Sequence, residues 1–130
     1  MNGKFFVLDT NIVIALFADE VKVKKNIEKA DGVFVPVIVM GELFYGAELS
    51  TRKEQNLKKL HEFSVTCPLL DCNLETSKHY GAIKSLLKLK GTPIPENDIW
   101  IAAIAIQNQL PLSTRDKHFE NIKGLKIVRW

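Results

Sequence analysis

The sequence contains no long apolar run. None of its stretches approaches the roughly 18 continuous apolar residues that a bilayer span requires. Cysteine is scarce, with two in 130 residues. Cys67 and Cys72 stand in a C-x4-C arrangement around Pro68 with no Cys or His pair at finger spacing nearby, which argues against a structural zinc site. A disulfide would fit the spacing but not a reducing cytoplasm. Both are therefore expected to be small buried hydrophobes, the common fate of a free thiol. Strong charge of one sign is also missing, and a net +3 is too mild to mark a nucleic-acid partner by itself. There is no linker-like stretch, low-complexity segment or repeat, so a single domain over residues 1–130 is expected. The start "MNGKFF" has one lysine, and Asp9 interrupts the apolar run too early for a secretory signal. The chain is expected to be soluble and cytoplasmic, with no membrane partner.

What is present is an alternation of short apolar runs with longer helical patterns, the rhythm of an α/β domain with a largely parallel sheet. "KFFVL" (4–8) is continuous rather than alternating and predicts a first strand buried on both faces. "TNIVIALF" predicts a helix capped by Asp9 or Thr10. The segment 20–30 predicts a surface helix ending near Asp31-Gly32, and "GVFV" (32–35) a second strand. Pro36 at the first helical position and the Met40-Leu43-Phe44-Ala47 spacing predict a helix next. Residues 51–64 predict an amphipathic helix with Leu57, Leu60 and Phe63 on one stripe. "VTCPLL" (65–70) is a third strand candidate. Asn73 and Gly91 bracket another helix. "ENDIWIAAIAIQNQ" (96–109) is apolar nearly all round and predicts a central buried helix. "LPLST" (110–114) and "LKIVRW" (125–130) supply the last strands.

Four carboxylates stand where apolar patterns start or stop. Asp9 follows the first strand, Glu42 interrupts an apolar helix, Asp98 lies in the first turn of the most hydrophobic helix, and Asp116 follows "PLST". Each has a plain alternative role. Asp9 could simply cap a helix, Asp98 complement a helix dipole, and Asp116 start a turn. Glu42 gains nothing from capping, although exposure on its helix would also explain it. Open parallel sheets bind ligands outside the carboxyl ends of their strands, where strand order reverses, and short crossovers bring helix starts to the same edge. Several carboxylates at one low-dielectric rim repel one another and raise their own pKa values. A hard divalent cation relieves this, and oxygen ligands select Mg²⁺ or Mn²⁺ over zinc. Such ions serve phosphoryl chemistry.

The stretches "VLDTNIVIALF", "GELFYGA" (41–47) and "NDIWIAAIAIQNQLPLSTRDKHFENIKGLKIV" (97–128), with the order and spacing of the four acids, resemble the PIN-domain family, in particular its VapC-type toxin ribonucleases. The resemblance covers essentially the whole chain. It implies a three-layer α/β/α sandwich around a parallel sheet of about five strands. It also implies a Mg²⁺- or Mn²⁺-dependent endoribonuclease whose catalytic, metal-binding acids are Asp9, Glu42, Asp98 and Asp116. Products would carry 5′-phosphate and 3′-hydroxyl ends. Thr114 matches a hydroxyl position that orders the site, and Asn11 the polar residue expected to orient Asp9. One departure is Pro36-Val37, where family members often place a Ser or Thr cap. His118 matches a family position but is read as structural or surface, and His61 and His79 as solvated.

If metal takes four of the fifteen acids, eighteen cations against the eleven that remain leave +7 on the rest of the molecule. That balance would attract a polyanion. Arg115 and Lys117 are candidate RNA contacts, with Lys84, Lys88 and Lys90 behind them, although any single lysine could merely solvate a helix face. A single-stranded RNA loop suits side-chain reading better than duplex. The resemblance further implies a cognate antitoxin protein laid across the acidic groove and a homodimer, with Val39, Phe44 and Leu49 as candidate contact surface. Two rivals are set against this reading. "FFVLDTN" superficially resembles a haloacid-dehalogenase-type phosphatase loop, but Asn11 stands where the second Asp would be. A catalytically silent PIN-like RNA- or protein-binding module would be expected to have lost acids that this chain keeps.

Overall fold

The computed structural model describes residues 3–130. Five strands form one parallel sheet: β1 (Phe5–Leu8), β2 (Gly32–Pro36), β3 (Leu69–Leu70), β4 (Leu112–Ser113) and β5 (Ile127–Val128), in the order β3-β2-β1-β4-β5. Between them run α1 (Thr10–Phe17), α2 (Val21–Lys29), α3 (Val37–Glu48), α4 (Lys53–Thr66), α5 (Leu74–Lys90) and α6 (Glu96–Gln107). A 3-10 helix, Lys117–Asn121, links β4 to β5. From β1 the chain steps through β2 to β3 in one direction, then crosses back to β4 and β5 on the other side of β1. Right-handed crossovers therefore lay α1 to α4 on one face and α5 and α6 on the other. The result is the expected α/β/α sandwich. Its topological switch point lies between β1 and β4, where Val7 pairs with Leu112 and Leu8 with Ser113.

The core explains why these sequences adopt these elements. Val7, Leu8, Val35 and Leu112 form the buried centre of the sheet. Helix α6 buries Ile99 and then every residue from Ile101 to Ala105, so it carries no polar stripe. Its three alanines let neighbouring backbones approach closely. Asn73 caps α5 in a reciprocal box with Thr76, and its Oδ1 also accepts from Gln107 Nε2 at 2.9 Å, which ties the start of α5 to the end of α6. Gly91 ends α5 at φ 71°, a left-handed conformation that costs glycine no steric strain.

Several expectations need correction. The third strand is shorter than residues 65–70, because α4 continues through Thr66 and only Leu69–Leu70 pairs. Pro68 sets that boundary by pushing Cys67 out of the helical region, to φ −107° and ψ 128°. Pro36 is not the first helical residue. It closes β2 and precedes α3 with no side-chain cap. The first strand is covered on both faces only at Val7 and Leu8, whereas Phe5 at its entry is exposed. Cys72 is exposed in the loop before Asn73, and Cys67 is only half-buried, its thiol pushed up to about 11 by desolvation. Val39 is not surface either. It is 0% exposed because Val39, Leu43 and Ala47 repeat at four-residue intervals on the core-facing stripe of α3. Phe44 packs half-buried, which leaves Leu49, 70% exposed, as the open apolar residue of that trio.

Candidate active site

Asp9 is the residue directly after β1 and the N-cap of α1, and it is 4% exposed. Its Oδ1 accepts from Thr10 N at 2.8 Å and its Oδ2 from the Thr114 hydroxyl at 2.7 Å. The β1–β4 pairing extends one step further, with Asp9 N donating to Ser113 O at 3.0 Å. Thr114 Oγ1 also accepts from Asp116 N at 3.0 Å. One buried hydroxyl thus couples the two acids at the ends of adjacent strands. Asn11 has a role other than the expected one: its Oδ1 accepts from Arg115 N at 3.4 Å rather than contacting Asp9. From the first turn of α1 it reaches across the switch point and holds the loop that carries Asp116.

Asp98 arrives from the opposite helical layer on the first turn of α6. Among the described residues, donor atoms of Asp98, Asp116 and His118 all lie within 4.8 Å of one another. Glu42, on α3, is not part of that closest trio, but its charge acts on the same cluster as Asp9 and Asp98. Desolvation raises Asp9, and Asp116 adds to the rise, while the bonds from Thr114 and Thr10 oppose it. Burial raises Glu42 as well, with repulsion from Asp9 and Asp98 in the same direction. Asp98 is pushed up to about 6, first by desolvation and then by Asp9 and Asp116. The Thr10 hydroxyl and the Asn97 side chain oppose the rise at Glu42, yet among the described residues Glu42 Oε1 and Thr10 Oγ1 are buried with no hydrogen bond of full geometry. Mutually repelling acids and a poorly satisfied buried carboxylate oxygen are what a cation would relieve, so the donor set fits a divalent metal ion.

Around the acids, a cleft of about 360 Å³ lined by Val37, Ile38, Gly41, Glu42, Tyr45 and Asn97 opens beside Glu42. A larger cavity, about 700 Å³, instead involves Phe5, Phe6, Pro111 and Leu125 and contains none of the four acids. The site is therefore defined by its chemistry rather than by cavity size. Arg115 is not a free RNA-facing cation. Its guanidinium donates to both Glu20 carboxylate oxygens at 2.8 and 3.2 Å and to Trp130 O at 2.8 Å. Lys84 is paired with Glu96 and Tyr80, and Lys90 donates to Asn121 O. Lys117 and Lys88 are exposed. His118 is half-exposed, as the surface reading expected, and its Nδ1 lies 3.3 Å from Asp98 Oδ2 and 3.1 Å from Asp116 Oδ1. The Asp116-x-His118 spacing was the available signal of that proximity, since a turn capped by Asp116 brings His118 back onto it. Glu20 was missed entirely, because nothing local marks it as the partner of Arg115.

An α/β sheet with carboxylates gathered at its switch point is an arrangement that could hold a divalent cation against a phosphoryl group. The PIN domain family model matches residues 6–125. Ribonuclease VapC2 of Haemophilus influenzae is 35% identical over 96% of this chain and 97% of its own. The tRNA(fMet)-specific endonuclease VapC of Salmonella typhimurium is 32% identical over the same shares, 96% and 97%. The crystal structure of VapBC2 from Rickettsia felis bound to a DNA fragment from their promoter superposes with a TM-score of 0.90 at 32% identity, covering 97% of this chain and 98% of that one. The chain belongs to the PIN-domain family, among its VapC-type members.

Proposed function

We propose that this protein is an endoribonuclease toxin that hydrolyses RNA phosphodiester bonds with Mg²⁺ or Mn²⁺ held by Asp9, Asp98, Asp116 and Glu42. The observation that carries the reading is the convergence of acids from β1, α3, α6 and the β4 exit at one rim, with Asp98 pushed up to about 6 and Glu42 Oε1 poorly satisfied. Bound there, the ion supplies Lewis acidity and charge neutralisation at a phosphoryl group. The chain's own residues do the positioning. Thr10 and Thr114 fix both oxygens of Asp9, Thr114 relays that position to Asp116, and Asn11 with the Glu20–Arg115 pair holds the intervening loop. Electrostatic stabilisation of this kind depends on groups held in place before the reaction begins.

RNA is the proposed substrate because the curated relatives are named as ribonucleases. A cognate antitoxin is the proposed partner because solved neighbours are VapBC complexes. Arg or Lys of that partner inserted among the carboxylates would be a natural inhibitory contact. The protein is further proposed to act as a single domain, as a homodimer, in the cytoplasm. Among the described residues, no helix is long and apolar enough to cross a membrane.

The test is incubation of purified protein with total cellular RNA in Mn²⁺, in EDTA, and with the Asp98→Asn variant. Discrete fragments seen only with metal and the unaltered chain are expected. Absence of cleavage, together with no thermal stabilisation by Mn²⁺, would leave a silent binding module as the better account.

A further inference from the structure

His118 plays no part in the reading above, yet its imidazole belongs to the tightest group of donors at the site. Two ligands bound at right angles to one ion, at the roughly 2.1 Å typical of Mg²⁺, lie about 3.0 Å apart. His118 Nδ1 is 3.1 Å from Asp116 Oδ1 and 3.3 Å from Asp98 Oδ2. We propose that His118 is a ligand of this metal centre, so that its donor set is mixed nitrogen and oxygen rather than all oxygen. The proposal rests on the reading of Asp98 and Asp116 as metal ligands and adds a residue and a metal preference to it.

The backbone brings residue 118 to this place. Asp116 Oδ1 accepts from His118 N at 2.9 Å, which closes a tight turn. Phe119, the next residue, is 0% exposed and plugs the core. The capped turn and the buried ring fix the backbone of residue 118 beside the acid cluster, and its half-exposed imidazole lies within reach of Asp98 and Asp116. The chemistry favours ligation as well. The cluster already brings the carboxylates of Asp98 and Asp116 within 4.8 Å of one another. A neutral imidazole adds a ligand without adding to their repulsion. Its consequence is selectivity: Mg²⁺ is a hard ion that prefers oxygen and dehydrates reluctantly, whereas a nitrogen donor favours Mn²⁺ and later first-row metals. The competing account makes His118 only a hydrogen-bonding bridge between Asp98 and Asp116 that is displaced when the metal arrives.

Pulsed EPR of the full chain loaded with Mn²⁺ alone separates the two. Ligation predicts a directly coordinated nitrogen signal in the unaltered protein. That signal should change when the histidines are labelled with nitrogen-15 and vanish in His118→Gln. The same variant should bind Mn²⁺ at least about tenfold more weakly, the lower end of what even an outer-shell loss costs, with a much smaller change for Mg²⁺. Isotope labelling needs no substitution, so a poorly folding variant would not blunt the test. Bound Mn²⁺ without a nitrogen signal, or a signal that survives in His118→Gln, would overturn the proposal. No Mn²⁺ binding by the unaltered chain would overturn the metal reading itself, and this proposal with it.

Discussion

Replacing Asp98 by Asn should make the metal-free protein more stable while abolishing its activity. Asp98 has only 14% of its side chain exposed and is pushed up to about 6 from an ordinary 3.8. Holding it ionised in the folded state therefore costs about 3 kcal/mol at most. Residual contact with water screens that cost to about 1–2 kcal/mol. The sign follows from proton binding. Below pH 3.8 the carboxyl is protonated in both states and the penalty is absent. As pH rises, the unfolded chain releases this proton first, so the penalty grows and is complete once the pH passes about 6. Asparagine keeps the shape and never ionises. Urea unfolding in EDTA at pH 7 should show a higher midpoint for Asp98→Asn at unchanged slope, and the gain should disappear near pH 4. Mn²⁺ should then stabilise the unaltered chain much more than the variant. A variant less stable than the original at pH 7 in EDTA, or a gain that persists at pH 4, would refute the picture of a strained acid cluster.

Thr114→Val keeps volume but removes the hydroxyl that donates to Asp9 and accepts from Asp116 N. It should cost about 2–4 kcal/mol in urea unfolding at pH 7, because a buried carboxylate oxygen and an amide both lose their partner. It should also raise Asp9 further and weaken Mn²⁺ binding, measurable by titration calorimetry. Phe119→Ala should cost about 3–5 kcal/mol by opening a cavity under the 3-10 helix. A loss below about 1 kcal/mol in the urea midpoint would mean that this ring does not hold the loop in place.

Periodicity and punctuation made much of this molecule legible. The all-round apolar pattern of residues 96–109 could only be a buried helix, and α6 is one. Asn73 and Gly91 marked both ends of α5, because a side-chain cap and a left-handed turn are local chemistry written in single residues. The four acids drew notice because each stands where an apolar pattern starts, stops or is interrupted. The extent of β3 was misjudged because the β-branched Val65 and Thr66 suggest a strand, whereas α4 continues through Thr66 and Pro68 marks the break. Val39 was misread as surface because its neighbours are apolar on all sides, so the pattern gives no direction for the core.

The sequence by itself determined the alternating α/β plan, the helix boundaries that carry caps, and the identities of the acids, all of which depend on interactions within a few residues. Tertiary structure alone decided what those acids meet. Thr114 bonds to Asp9 across a separation of 105 residues, His118 faces Asp98, and Arg115 is neutralised by Glu20. Those pairings follow from the reversal of strand order between β1 and β4, which brings distant segments to one edge. The sheet makes that choice by burying Val7, Leu8 and Leu112 together, and no local pattern contains it.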